Sequence, residues 1–85
     1  MAIIKRINSD YTIQAVTSGT TVTIAADRLD VQGTVGMGTA LQLPVYADNL
    51  ARDTAIPLPQ PGMMIFNTTG TRFQGYTGAS WVDLN

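Results

Sequence analysis

The sequence predicts an all-β fold of short strands with one short helix, and three observations lead there. Residues 11–35 alternate apolar and polar side chains with period two. Residues 61–85 hold three short runs that mix aromatic and branched side chains, separated by glycine-bearing turns. Between these regions, only residues 48–56 combine helix-favouring composition with start and stop signals.

The chain has 85 residues, enough for one domain whose core is marginal unless something supplements it. It has no cysteine and no histidine, which excludes disulfides and cysteine-based zinc sites and removes the commonest transition-metal ligand. No cofactor and no metal are expected. Oligomerisation is the supplement that remains. The 45 % hydrophobic and 13 % charged composition points the same way, because a monomer of this size normally shows a more charged surface. The net charge is −1 and the five basic residues, Lys5, Arg6, Arg28, Arg52 and Arg72, are scattered, so no nucleic-acid footprint is visible. No apolar run is long enough for a membrane span. Met1-Ala2-Ile3-Ile4-Lys5-Arg6 places its charges after its apolar residues, the reverse of a secretion signal. A complete product made in the cytoplasm is therefore expected.

Two regions are expected, a β-structured shaft or attachment region at 1–39 and a connector with a C-terminal β module at 40–85. In the first, Tyr11, Ile13 and Ala15 alternate with Thr12 and Gln14; Val22, Ile24 and Ala26 with Thr21, Thr23 and Ala25; Leu29, Val31 and Val35 with Asp30, Gln32 and Thr34. Thr17-Ser18-Gly19-Thr20 and Asp27-Arg28 break the runs into three strands. Tyr11-Thr12-Ile13-Gln14-Ala15 and Val22-Thr23-Ile24-Ala25-Ala26 match at an offset of 11 residues, a weak internal repeat. One copy of so thin a sheet cannot cover its own apolar face, whereas three copies around a common axis can. An intertwined homotrimeric shaft is predicted, with Ile13, Val22, Ile24, Leu29 and Val31 as its core. Half of a small monomeric sandwich is the alternative.

Gly33-Thr34-Val35-Gly36-Met37-Gly38-Thr39 is read as a hinge or bend. As a phosphate loop it lacks the third glycine and the lysine. Leu41, Leu43 and Val45 alternate again, and Pro44 confines that strand to an edge or a loosely paired position. Asp48 caps the predicted helix, Leu50, Ala51, Arg52 and Ala55 favour it, and Pro57 ends it by restricting Ile56. Pro57, Pro59 and Pro61 then force an extended strap, which sits inside the module and is read as a connector, not as a proline-rich ligand. Runs 63–66, 73–76 and 81–84 make a three-stranded antiparallel meander, turned at Asn67-Thr68-Thr69-Gly70-Thr71 and Thr77-Gly78-Ala79-Ser80.

The pattern Gly-Met-Met-Ile-Phe at 62–66, Phe-Gln-Gly-Tyr-Thr-Gly at 73–78 and Trp-Val-Asp-Leu at 81–84, together with residues 43–48 and 51–56, resembles the C-terminal ends of bacteriophage virion proteins of the tail-fibre type. Residues 4–13 are similar to the opening of small virion proteins of phages, including those of cyanobacteria. The resemblance implies a virion structural protein, a short fibre or fibre-like appendage of tail or head, whose partners are itself and other virion proteins. A trimeric capsid decoration protein and a receptor- or glycan-binding module meeting a host surface glycan are the alternatives.

Chemistry is sparse. With no histidine, cysteine or glutamate, general acid–base and nucleophilic roles fall to aspartates alone. Asp27 with Asp30 and Asp48 with Asp53 are the available carboxylate pairs, but turn and capping roles explain them better. No enzyme and no catalytic residue are expected. Asp27 and Asp30 do not match a calcium loop, and Asn67-Thr68-Thr69 is read as a turn and not as a glycosylation site. Phe66, Phe73, Tyr76 and Trp81 are read as the core of the C-terminal module, with a flat contact platform as the alternative. Trp81 is expected beside Tyr76 and the strap of Pro57, Pro59 and Pro61, with Val82 and Leu84 on the opposite face.

Overall fold

The structure, a computed structural model, describes residues 3–14 and 16–85. Met1 and Ala2, which open the reversed leader pattern, and Ala15, which closes the first alternating run, lie outside the described residues. The chain divides into two compact units, Met1–Val35 and Gly36–Asn85.

Among the described residues of the first unit there is neither helix nor strand, and every residue is exposed. The turn at Thr17-Ser18-Gly19-Thr20 is formed: the Thr20 amide and hydroxyl both donate to the Thr17 carbonyl, at 3.3 and 2.8 Å, and Gly19 has φ +86°. A bend also falls at Asp27. The three strands read from period two are thus not paired within one chain. An isolated thin ladder leaves its apolar face and its edges in water, and among the described residues of this unit no helix or second layer is present to cover them. Ile13, Val22, Ile24, Leu29 and Val31 are all exposed.

The second unit carries β1 (Val45–Tyr46), α1 (Asn49–Ala55), β2 (Met64–Asn67), β3 (Arg72–Tyr76) and β4 (Trp81–Asp83). The strands form one sheet in the order β1-β2-β3-β4. β2, β3 and β4 are the antiparallel meander that the sequence predicts, registered by Ile65 opposite Gln74 and Tyr76 opposite Trp81. β1 adds a fourth strand parallel to β2. A parallel neighbour needs a crossover, and α1 with the proline strap supplies it. Pro44, just before β1, has no donor to offer but its carbonyl accepts from the Phe66 amide at 2.9 Å, which suits an edge position.

Asp48 is the N-cap of α1: its backbone is extended and its carboxylate accepts from the Ala51 amide at 2.8 Å. The helix ends where the Ile56 amide donates to the Arg52 carbonyl, one residue before Pro57. Past the strap, Gly62 at φ +90° turns the chain into β2, and its amide donates to the Tyr76 carbonyl at 2.9 Å. Gly78 needs to be glycine twice over. Its φ is +105°, and a Cβ there would stand 3.2 Å from Pro61 Cγ. The C-terminus is tied down by Asn85, whose side-chain oxygen accepts from the Phe73 amide at 2.7 Å while its amide group donates to the Thr71 carbonyl. Arg72 Nη1 also donates to the Asn85 carbonyl.

Register and alternation divide the sheet into two unlike faces. Tyr46, Ile65, Asn67, Arg72, Gln74, Tyr76, Trp81 and Asp83 share one; Val45, Met64, Phe66, Phe73, Val82 and Leu84 share the other. Among the described residues Ile65, 1 % exposed, is the one buried hydrophobic side chain.

Candidate functional site

Beneath α1 the sheet is polar. Arg52, at 7 % exposure, reaches from the helix to the sheet face that holds Asn67 and Gln74, both also buried. Its Nε donates to Asp53 at 2.9 Å, and its Nη1 donates to Asn49 at 3.2 Å and to Gln74 at 2.9 Å. Asn67 Nδ2 donates to Asn49 at 2.8 Å and to Gln74 at 3.3 Å, and Gln74 Nε2 donates to Asp83 at 2.8 Å. The spacing of three between Asn49 and Arg52 puts both on one side of the helix, and period two puts Asn67, Gln74 and Asp83 beneath them. Among the described residues no buried side-chain nitrogen or oxygen lacks a partner, so this network meets the condition under which buried polar groups rigidify a core.

Asn67 also accepts from the Thr69 amide at 3.0 Å, the side-chain turn that the sequence assigns to it. At 2 % exposure it leaves no room for a glycan.

The network opens on a cleft of about 440 Å³ between α1, the strap and the β3–β4 turn, lined in part by Arg52, Asp53, Pro57, Pro59, Tyr76 and Trp81. Tyr76 meets Trp81 edge-on with ring centroids 5.2 Å apart, and the Arg52 guanidinium carbon lies 5.1 Å from the indole centroid. Pro57 and Pro59 face the same cleft as the indole, whereas Pro61 packs on the Gly78 turn. Asp53 is the one carboxylate among the lining residues, since Asp48 is engaged at the helix cap.

No family model, curated protein or solved structure matches this chain.

The four aromatic residues do not act as one group, either as a single core or as a single platform. Phe66 and Phe73 pair edge-on at 4.9 Å on one face, and Tyr76 and Trp81 pair on the other. They split because Phe73 and Tyr76 are three residues apart on one strand, an odd spacing that sends them to opposite sides. The Phe66–Phe73 face holds only apolar side chains besides Gly75, and Val45, Met64, Phe73, Val82 and Leu84 on it are exposed. From sequence, Arg52 is read only as a helix former and Asn67 only as a turn residue, and Gln74 is given no role of its own. Period two marks Asn67, Gln74 and Asp83 as one polar row, but whether the polar or the apolar row would be covered depends on where α1 lands.

Proposed function

We propose that this chain is a non-enzymatic structural protein of a phage virion, a short homotrimeric fibre or fibre-like appendage of tail or head. One observation carries the oligomer: among the described residues a single chain buries one hydrophobic side chain, Ile65, and leaves an uncharged apolar sheet face and an alternating apolar N-terminal segment in water. Exposed apolar surface of that extent is the mark of an interaction face. A chain of 85 residues with no disulfide has few other ways to gain stability. Three copies around a common axis form a closed ring that leaves no apolar face over. The virion assignment is supported by the resemblance of residues 62–66, 73–78 and 81–84 to tail-fibre ends, and other virion proteins are the partners that it implies.

Gel filtration with light scattering tests the oligomer: a mass near three times 9.1 kDa is expected, and a clean monomer at micromolar concentration rejects it. Immunogold labelling of intact particles tests the position. Label confined to tail or neck supports the fibre, and label spread over the capsid assigns the trimer to decoration instead.

A further inference from the structure

We infer that the cleft between α1, the proline strap and the β3–β4 turn is a binding site for a neutral saccharide. Its polar groups are the first ground. The Arg52 side chain is nine-tenths buried, and Nε and Nη1 are fully engaged with Asp53, Asn49 and Gln74. Nη2 has no partner among the described residues, and since none of the buried side-chain nitrogens there is unpaired, Nη2 keeps contact with open space. The open space that Arg52 lines is the cleft. A donor pair held this rigidly is pre-organised for a ligand. Beside it, Asp53 uses Oδ1 for Arg52 and is 59 % exposed at its side chain, so its second oxygen is free to accept. Ser80 also lines the cleft, and its hydroxyl has no partner among the described residues.

The apolar wall is the second ground. Half-buried Trp81 and Tyr76, with Pro57 and Pro59, put ring surface next to these donors and acceptors. A pyranose asks for that mixture, because its adjacent hydroxyls donate and accept together while its C–H faces prefer an aromatic or proline surface. Charge selects within the class. Asp53 stands 2.9 Å from Arg52, and no other lining residue is charged, so the cleft carries no net charge, and a carboxylate on the sugar would meet that of Asp53. A peptide bound by strand addition would take the edge of β4, in the plane of the sheet and away from the face that the cleft occupies. The inference is independent of the virion assignment.

Trp81, the one tryptophan, reports on the cleft. Full-length protein, at the oligomeric state that light scattering finds, is titrated with glucose, galactose, mannose, N-acetylglucosamine, N-acetylgalactosamine, lactose and maltose, with glucuronate, galacturonate and a tetrapeptide alongside. A saturable change in Trp81 emission with at least one neutral sugar is expected. Affinity should fall roughly tenfold in Asp53→Asn and in Ser80→Ala, with mass and circular dichroism unchanged. Silence with every neutral sugar overturns the inference, as does a response confined to the uronates or the peptide. Unchanged affinity in both variants places the sugar elsewhere and overturns it too. Complete shielding of Trp81 from iodide, with no sugar response, means that a neighbouring copy fills the cleft and rejects it likewise.

Discussion

Arg52 is the buried residue of α1, a charged side chain held between the helix and the sheet. Its guanidinium is the hub of the buried polar row, donating to three residues and lying against Trp81. Truncation takes the charged donor from Asn49 Oδ1 and from buried Gln74 Oε1. Arg52→Ala is therefore expected to destabilise the C-terminal unit by about 2–4 kcal/mol, seen as an earlier midpoint when unfolding is followed by Trp81 emission. Arg52→Lys should recover only part of this, since an ammonium cannot fork to Asp53, Asn49 and Gln74 together. Thr71 is the reverse case. It is a β-branched residue at φ +55°, a conformation that costs about 1–2 kcal/mol for a residue with a Cβ. Asparagine tolerates that region better, and the Asn85 contact to residue 71 uses only its carbonyl. Thr71→Asn should stabilise by about 0.5–1 kcal/mol and raise the melting temperature by a few degrees; a fall would show that the Thr71 side chain makes a compensating contact.

At the level of elements, what the sequence disclosed was local. Asp48 as cap, Pro57 as stop, and the glycine turns at Gly70 and Gly78 were legible because each is decided by a few neighbouring residues and their φ/ψ preferences. The meander was legible for the same reason. Two things were hidden. The parallel pairing of β1 with β2 joins residues separated by a helix and a strap, and nothing in a two-residue strand announces its partner. The choice of covered face was hidden too: alternation separates Phe73 from Gln74 but does not say which of them α1 will lie over. The polar row won, and Phe73 stayed exposed. The strap and the last turn form one joint where this local logic can be tested. Gly78→Ala must place a side chain at φ +105° and 3.2 Å from Pro61, so a loss of about 1–2 kcal/mol is expected from backbone strain alone, with greater exposure of Trp81 as the turn shifts. Equal stability of the variant and the parent would mean that Pro61 moves freely and that the strap does not brace the turn.

The C-terminal unit inverts the usual arrangement, with a polar network beneath α1 and apolar side chains exposed on the opposite sheet face. For a lone chain this is a poor solution; for a chain that assembles it is economical, because the network fixes each module and the apolar surfaces remain for neighbours. Both units should then contribute, and the two can be separated by substitution. Phe73 is 45 % exposed in the single chain and pairs edge-on with Phe66, so Phe73→Asp should cost an isolated module only about 1–2 kcal/mol. In an assembly that closes over the Phe66–Phe73 face, the same change buries an unpaired carboxylate in each copy, at several kcal/mol per site. Ile24→Asp makes the corresponding test of the N-terminal segment, and Thr23→Asp is its control, because period two puts Thr23 on the opposite side. The expected result is a folded, monomeric Phe73→Asp and Ile24→Asp by light scattering and circular dichroism, beside a Thr23→Asp that keeps the parent mass. If Phe73→Asp keeps the parent mass while Ile24→Asp loses it, assembly runs through the N-terminal segment alone and the apolar sheet face serves some other contact. If both keep it, neither face is the interface and the trimeric fibre loses its physical basis.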